Sequence, residues 1–242
     1  MTFRPNEYDQ PIGVPVSDWS PRPLPAAVTL GGQYCRLEPL DADRHAADLF
    51  AAYSSGSDAR DWTYMFTGPF EDAQDYRRYV QEAAAGSDPR HYAVIDLGRG
   101  TAVGTLSLMR QDGDHGVVEV GNVMFSPLMK RSPLSTEAQF LAMRYVFDDL
   151  GYRRYEWKCD SLNAPSRTTA ERLGFTFEGI FRQAVVYKGR NRDTAWFSVI
   201  DGEWPANKRV LESWLSHDNF DAQGIQRRSL AEVRAAVVAA RA

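Results

Sequence analysis

The stretch from Glu119 to Arg182 decides the fold of this chain, and it reads EVGNVMFSPLMKRSPLSTEAQFLAMRYVFDDLGYRRYEWKCDSLNAPSRTTAERLGFTFEGIFR. The apolar run from Gly121 to Phe125 is typical of a strand that is buried on both faces. Pro127 ends this strand, because proline lacks the N–H group that a sheet ladder needs. A polar loop from Met129 to Ser135 follows and leads into a helix.

This helix is predicted to open at Ser135 and to lie against a sheet. Apolar residues recur along it at helical spacing, and only Glu137, Arg144 and Asp148 form a continuous polar side. Gly151 follows the last apolar residue, where a left-handed C-cap is favoured. We therefore expect a mostly buried helix between two strands.

A strand, a short helix and another strand complete the stretch. Residues 155–160 alternate between apolar and polar side chains, which is the period-two pattern of a strand. Residues Asn163 to Ser166 turn into a short helix that ends at Gly174. Phe175, Phe177 and Phe181 begin the next strand.

The loop before the first helix is suited to phosphate groups. Free N–H groups and the positive end of the helix dipole attract anions at such a position, and Lys130 and Arg131 add positive charge. The same two residues could instead solvate an ordinary loop, which is the better interpretation when they are taken alone.

Taken together, these features resemble the GNAT superfamily of acyl-CoA-dependent N-acyltransferases, particularly its RimJ/RimL-like branch. In that family a central strand leads into the loop Gln/Arg-x-x-Gly-x-Gly/Ala, often followed by Thr-Glu-Ala. The loop here reads KRSPLS over residues 130–135, followed by TEA. The family's Asn-x-x-Ser and Glu-Lys-x-Gly-Phe pieces match residues 163–166 and 171–175, and EGIFR at 178–182 looks like the branch's Glu-Gly-x-x-Arg. The resemblance covers roughly residues 33–201, in order.

The sequence departs from the family pattern at three positions. Pro133 and Ser135 stand where the family usually has glycine and Gly/Ala, and Pro133 removes one N–H donor from the loop. Ala170 stands where the family often has a tyrosine that acts as general acid. The hydroxyls of Ser132, Ser135 and Thr136 could partly compensate in the loop.

The resemblance implies acetyl-CoA as the acyl donor. Its expected contacts are Val123, Met124, Phe125, Lys130, Arg131, Ser132, Leu134, Ser135, Thr136, Asn163 and Ser166. In the GNAT fold the central strand splays from its neighbour, so the backbone N–H groups of residues 123–125 would bond the thioester carbonyl as an oxyanion stabiliser.

Acyl transfer also needs a neutral amine and a proton for the leaving thiolate. A lysine-type amine has a pKa of about 10.4 and an α-amine one of about 7.8, so a base is useful. Glu119 on the central strand is the candidate base, or a solvated carboxylate at a strand end. Ser166 is the candidate acid, or the N-cap of a helix over 166–173.

In the family the region between the first two helices forms one wall of the acceptor site, which makes Trp62 and Tyr64 the candidate substrate contacts. The alternative for these residues is hydrophobic packing under a loop.

Composition excludes several other classes of protein. The 242 residues carry a net charge of −4, which gives no reason to expect nucleic acid or an anionic membrane as partner. We find no apolar run long enough for a membrane span and no signal core, so we expect a cytoplasmic protein. Cys35 and Cys159 make no disulfide framework. The four histidines are scattered, so no metal site is expected.

The remaining chain divides into recognisable segments. Residues 33–40 predict the first strand, and Asp41 caps a helix through Tyr53; residues 71–85 predict a second helix and 91–109 a hairpin. Strands at 184–188 and 194–200 follow, with the charges of Lys188, Arg190 and Arg192 near their turn. This cluster either receives an acidic substrate or is the commonly charged tip of a hairpin, and we favour the tip. Short helices are expected at 210–215 and 229–240.

These segments predict an α+β, GNAT-like fold with a mixed, largely antiparallel sheet flanked by helices. Residues 1–30 form a proline-rich arm, 31–203 the acyltransferase domain and 204–242 a helical extension. The arm is either a flexible tail or is laid over the domain, which its apolar residues favour. The extension packs on the core or builds a homodimer.

The expected activity is acetyl transfer from acetyl-CoA to a small-molecule amine or a protein N-terminus, by direct attack in a ternary complex. The alternative is a GNAT-fold module that binds CoA or a protein partner without turnover.

Overall fold

The computed structural model describes residues 3–56 and 58–239, within which the chain forms six α-helices and ten strands. The helices are α1 (Ala42–Ser54), α2 (Ala73–Ala85), α3 (Pro133–Arg144), α4 (Ala164–Leu173), α5 (Trp204–Leu215) and α6 (Leu230–Ala239). The strands are β1 (Phe3–Pro5), β2 (Pro11–Gly13), β3 (Leu30–Gly31), β4 (Cys35–Pro39), β5 (Arg90–Asp96), β6 (Thr101–Asp112), β7 (Val117–Phe125), β8 (Arg154–Asp160), β9 (Thr176–Tyr187) and β10 (Arg190–Ile200).

Eight of the described strands form one sheet in the order β3-β4-β5-β6-β7-β8-β10-β9. Neighbouring strands are antiparallel except β7 and β8, which are parallel. A parallel pair needs a crossover connection, and α3 supplies it. The expected mixed, largely antiparallel α+β fold is therefore confirmed.

Helices cover the two faces of the sheet unequally. On the first face, α3, α4, α5 and α6 pack with side chains such as Leu106, Val120 and Phe197 in one large core. On the second face, α1 and α2 cover only the half near β4, β5 and β6, where Ala93 and Ile95 lie in a smaller core. On the second face of β8 the side chains are instead Glu156, Lys158 and Asp160, and Trp196 of β10 lies over Lys158.

Glu137 anchors the crossover helix to the start of β4. Its carboxylate accepts the backbone N–H groups of Gln33, Tyr34 and Cys35, each at 2.7 Å. The side chain is buried, and a Cβ on Gly32 would lie 2.5 Å from its carboxyl carbon. The sequence pattern assigned Glu137 to a polar face, which is wrong: its charge is buried because three N–H donors satisfy it.

Residues before β3 and after β10 both touch the domain. Trp19 donates its indole N–H to the Asp114 carbonyl at 2.8 Å, and Tyr145 bonds the Ala26 N–H at 2.9 Å. Val14, Val16 and Leu24 are nevertheless exposed. In the extension, Trp204, Val210, Leu211 and Trp214 join the core of the first face. The division at residues 30 and 203 stays a prediction.

Several element boundaries differ from expectation. α3 begins at Pro133 rather than Ser135, because proline suits the first helical turn, where its missing N–H costs nothing. β9 is one strand over residues 176–187 rather than two, with Gln183 at a positive φ beside a register shift. α5 begins at Trp204, six residues before the predicted start. α6 begins with a capping box, in which Glu232 accepts the Ser229 N–H at 2.7 Å. Ala240, the predicted last residue of this helix, lies outside the described residues.

Candidate active site

The two parallel strands at the centre of the sheet separate partway along their length. Their pairing runs from Val117 opposite Arg154 to Val120 opposite Trp157. Both strands then continue, β7 to Phe125 and β8 to Asp160, without pairing to each other. The result is a cleft between two strand ends, and residues 123–125 form one of its walls.

The first turn of α3 stands beside this cleft and has no side-chain cap. Ser132 is the N-cap, but its hydroxyl donates to the Met129 carbonyl at 2.7 Å. The hydroxyl of Ser135 donates to the Ser132 carbonyl at 3.0 Å. Since Pro133 has no N–H, the backbone donors of Leu134 and Ser135 are the ones that the first turn offers to an anion.

A buried hydroxyl also lies directly after β7. Ser126 is 1% exposed, and its Oγ has no hydrogen-bond partner among the described residues. An orphaned polar atom in the loop that leads into an uncapped helix turn fits a site that receives a polar ligand. The residues present therefore fit the phosphate-bearing donor that the loop pattern suggests.

The basic residues of the loop differ in their surroundings. Lys130 contacts the Asp61 carboxylate at 2.7 Å. Arg131 is exposed and adopts a positive φ of 60°, which turns the chain just before α3. Thr136 is buried, and its hydroxyl accepts from the Arg172 guanidinium at 3.0 Å.

Glu119 lies on the second face of the sheet, within a row of ion pairs. Lys158 Nζ is 2.9 Å from Glu119 and 2.7 Å from Glu156, and Arg110 lies 3.1 Å from Glu119. Arg154 contacts Glu156 at 2.6 Å and Glu178 at 2.5 Å. We name this row, Arg110, Glu119, Lys158, Glu156, Arg154 and Glu178, the charge ladder.

The charge ladder corrects two expectations about the strands. Glu156 and the Lys158 side chain are buried rather than solvated, so residues 155–160 bury both of their faces. Glu119 is likewise 6% exposed rather than a solvated strand end. Burial raises the pKa of Glu119 above its ordinary value, whereas Lys158 and Arg110 beside it act in the opposite direction.

Asn163 and Ser166 stand where β8 leads into α4. Asn163 is the N-cap, since its Oδ1 accepts the Ser166 N–H at 3.2 Å, so the interpretation of Ser166 as N-cap is wrong. The Ser166 hydroxyl instead accepts the indole N–H of Trp157 at 2.9 Å. Burial raises the pKa of the neighbouring Cys159 thiol, against a hydrogen bond from Ser166.

The aromatic loop, which we define as residues 58–70, closes over the open end of the cleft. Tyr64 is half-buried, and its hydroxyl donates to the Leu162 carbonyl at 3.2 Å. Trp62 is 7% exposed and packs edge-to-face against Tyr53 and Phe70. Their roles as substrate contacts stay predictions, with the Tyr64 ring nearer the surface.

Side chains at the β9–β10 turn donate hydrogen bonds to the aromatic loop. Lys188 donates to the carbonyls of Trp62 at 2.9 Å, Thr67 at 3.2 Å and Gly68 at 2.9 Å. Arg190 donates to the Thr63 carbonyl at 2.7 Å. Lys188 and Arg190 therefore hold the aromatic loop. The interpretation of these two residues as the charged, solvated tip of a hairpin is wrong.

Two arginines near the cleft go beyond the expected site residues: the sequence does not single out Arg172, and it marks Arg192 only as part of the charged cluster near the β9–β10 turn. Arg172 lies over the Trp214 ring at 5.0 Å and reaches the first turns of α3 through Thr136. Arg192 is 8% exposed and stacks on aromatic rings. No local pattern predicts the surroundings of Arg172 and Arg192, because these come from distant segments.

Two features are absent from the residues that the structure describes. None of their helices is long and apolar enough to cross a membrane. No three His, Cys, Asp or Glu side chains among them are grouped as metal ligands would be.

Comparison with known proteins agrees with this geometry. Residues 35–176 match the acetyltransferase (GNAT) domain family. A crystal structure of a GCN5-related N-acetyltransferase from Brucella melitensis superimposes with a TM-score of 0.89 at 49% identity, over 91% of this chain and 100% of that one.

Two curated bacterial proteins are more distant relatives. The uncharacterized N-acetyltransferase p20 of Bacillus licheniformis is 27% identical over 70% of this chain and 95% of its own length. The "Putative ribosomal N-acetyltransferase YdaF" of Bacillus subtilis is 25% identical over 71% of this chain and 92% of its own. Nothing among these relatives favours an inactive binding module.

Proposed function

The chain belongs to the GNAT family of N-acetyltransferases, and from that premise we propose that it transfers the acetyl group of acetyl-CoA to an amine bound on the second face of the sheet. The observation that carries the proposal is the separation of β7 and β8 after Val120 and Trp157. It leaves a cleft that opens toward α3 on one side and toward the aromatic loop on the other.

In this proposal the residues around the cleft hold the acetyl donor. The N–H groups of Leu134 and Ser135 bond its phosphates, and Lys130, Arg131, Ser132 and Thr136 line the same loop. Residues 123–125 offer backbone donors to the acyl carbonyl, and Asn163 offers its amide N–H group. Acetyl-CoA, when bound, supplies an acyl group on a good leaving thiolate.

Ser166 is our candidate for the group that protonates the leaving thiolate. Its hydroxyl accepts the indole N–H of Trp157 and bonds the Cys159 thiol. In this proposal its O–H turns from Cys159 to the leaving thiolate when the donor is bound. Ala170, at the family's tyrosine position, is buried and has no hydroxyl. Ser166 and Ala170 lie on the same helix, which makes the serine the nearest substitute.

Glu119 is our candidate for the base that receives the amine proton, directly or through water. It precedes the last paired residue of β7 by one position, on the face that we assign to the acceptor. Its raised pKa suits a base that works near neutral pH. Glu119→Gln is expected to lower kcat by about 100-fold or more.

Glu156→Gln is the matched control for this variant, because Glu156 is the other carboxylate that contacts Lys158. A base role predicts a large loss only for Glu119→Gln. Equal losses in the two variants would assign Glu119 to the support of the charge ladder instead.

The proposal extends to the acceptor and the assembly. The distant ribosomal relative supports a protein N-terminus as acceptor, and hence the RimJ/RimL-like branch. An α-amine also needs less help from a base than a lysine amine does. A homodimer is proposed because α6 leaves Val238 63% exposed beside a groove that it shares with α4.

The test of the donor site places a negative charge in the first turn of α3. Ser135→Asp suits a helix N-terminus, so the fold is expected to keep its stability while the affinity for acetyl-CoA falls at least about tenfold. Ser135→Asn is the neutral control. Calorimetry measures binding, and thiol release with a panel of amines measures transfer. Failure of the wild type to bind millimolar acetyl-CoA would overturn the proposal.

A further inference from the structure

Arg192 is a buried cation on the acceptor side of the sheet. The residue is 8% exposed, and its guanidinium lies 5.2 Å from the Phe66 ring and 5.9 Å from the Tyr187 ring. Its Nε donates to the Thr194 hydroxyl at 3.2 Å. Among the described residues, no carboxylate lies within 4.0 Å of it, so its charge has no counter-ion.

The nearest strand partner with a carboxylate, Asp160, already accepts hydrogen bonds from other groups. Asp160 of β8 pairs with Thr194 of β10 and is 5% exposed. It accepts the Tyr187 hydroxyl at 2.8 Å and the Leu162 N–H at 2.9 Å. The contrast with Lys158 is direct, because Lys158 is as deeply buried but contacts two carboxylates.

A buried charge without a partner opposes folding. Stacking on two aromatic rings and one bond to a neutral hydroxyl return only part of the lost hydration. Such an unbalanced group is expected where a ligand supplies the missing charge. The two terminal nitrogens of the guanidinium also match a carboxylate in shape.

The position of Arg192 relates this charge to the cleft. Phe197 pairs with Trp157, where β7 and β8 separate, and Thr194 lies three residues further along β10. At a strand rise of about 3.3 Å per residue, the guanidinium beside Thr194 is about 10 Å from the closed end of the cleft. Phe66 of the aromatic loop covers it.

We propose that Arg192 binds a carboxylate of the acceptor, so that the substrate is an amine whose own molecule carries a carboxylate within about 10 Å of the nitrogen. This inference rests on the proposed acetyl transfer. Two sources share this chemistry: a small amino acid, and a peptide with an acidic side chain near its N-terminus. Neutral or polycationic amines are expected to be poor substrates.

The test compares acceptors that differ only in the carboxylate. One arm uses 4-aminobutyrate against 4-aminobutyramide, and the other uses the amidated tripeptides Ser-Glu-Ala and Ser-Gln-Ala. In at least one arm, wild-type kcat/KM is expected to be at least tenfold higher for the carboxylate. The arm that shows the preference identifies the source.

Arg192→Gln is expected to remove this preference while the KM for acetyl-CoA stays unchanged. Arg192→Lys should keep part of it, and Arg182→Gln, an exposed arginine on β9, is the matched control that should keep all of it. A merely structural Arg192 predicts lower thermal stability of Arg192→Gln with unaltered selectivity. Equal rates within both arms, or a preference that survives Arg192→Gln, would overturn the proposal.

Binding of the acetylated products to the protein saturated with CoA gives a readout without turnover. Calorimetry is expected to show at least tenfold tighter binding of the carboxylate product to wild type than to Arg192→Gln. Equal affinities would overturn the carboxylate site even if transfer occurs. Failure of acetyl-CoA itself to bind would instead overturn the proposed function. The carboxylate site would then be tested by the thermal shift that the acetylated products give with unliganded wild type and with Arg192→Gln.

Discussion

In β5, Ala93 and Ile95 are buried beneath α1 and α2, whereas in β8 the side chains of Glu156 and Lys158 are buried among ion pairs, with Trp196 over Lys158. Both pairs belong to one sheet and lie on its second face. In the first case helices exclude water, and the buried side chains are apolar. In the second case the side chains of the charge ladder lie against one another and exclude water, and each charge is offset by a neighbouring opposite charge.

This difference separates two tasks within one sheet. The helix-covered half holds the fold together by apolar burial, which tolerates no ligand between its layers. In the ladder half α1 and α2 do not cover the second face, and its buried charges are kept in place by one another and by Trp196 over Lys158. The candidate catalytic and acceptor-binding groups, Glu119 and Arg192, both lie on this second face.

The largest expected effect concerns the covered half. Glu137→Ala removes the acceptor of three backbone N–H groups and is expected to lower the free energy of unfolding by about 4 kcal/mol. Urea denaturation measures it. Glu137→Gln keeps one acceptor oxygen and should cost less; equal costs for the two variants would contradict this role.

In the ladder half, Lys158→Met is expected to cost about 3 kcal/mol, because Glu119 and Glu156 are left buried without their shared cation. Adding Glu119→Gln should restore part of the loss, since one of the two orphaned charges is then gone. The double-mutant cycle is measured by urea denaturation. Simple additivity of the two costs would mean that the charge ladder does not act as a unit.

A pH titration sharpens the comparison, because His91 in β5 is buried and none of the described carboxylates pairs with it. Burial lowers the pKa of His91 to about 4, from an ordinary value of about 6.5. Below about pH 6.5 the unfolded chain takes up the proton and the folded chain does not, so stability falls with falling pH down to about 4. Relative to His91→Leu, wild type should lose about 2 kcal/mol between pH 7 and pH 5. Parallel stability curves would contradict the assignment.

The smallest expected effect is at the contact between the two halves. Lys188→Met frees the carbonyls of Trp62, Thr67 and Gly68, and it should change global stability by less than about 1 kcal/mol because the site is exposed. Hydrogen exchange should nevertheless speed up within the aromatic loop. Exchange that stays as slow as in wild type would show that aromatic packing alone holds the loop.

The order of elements around the cleft could be predicted from the sequence because its signals are local. Alternation over 155–160, the Asn163 turn and Gly174 with its positive φ each depend on neighbours in the chain. Helical spacing likewise placed α3, although Pro133 was assigned to the loop. From the sequence alone, a proline at the first position of a helix cannot be distinguished from a proline in the preceding loop.

The burial of charges could not be predicted, because it depends on strand order. β10 inserts between β8 and β9, which brings Arg154 beside Glu178 and Trp196 over Lys158. The surroundings of Arg192 come from Phe66, a residue of a segment far away in sequence. A period-two pattern gives the face of a side chain but not what covers that face.

Glu137 also bears on the order in which the protein is made. The N–H groups of Gln33, Tyr34 and Cys35 reach their acceptor only across a separation of 102 to 104 residues. A ribosome delivers the chain from its N-terminus at about 5–20 residues per second, so the start of β4 waits several seconds for its anchor. The nascent first half is therefore expected to be held only loosely until α3 emerges, and the cleft that α3 borders is completed late in synthesis.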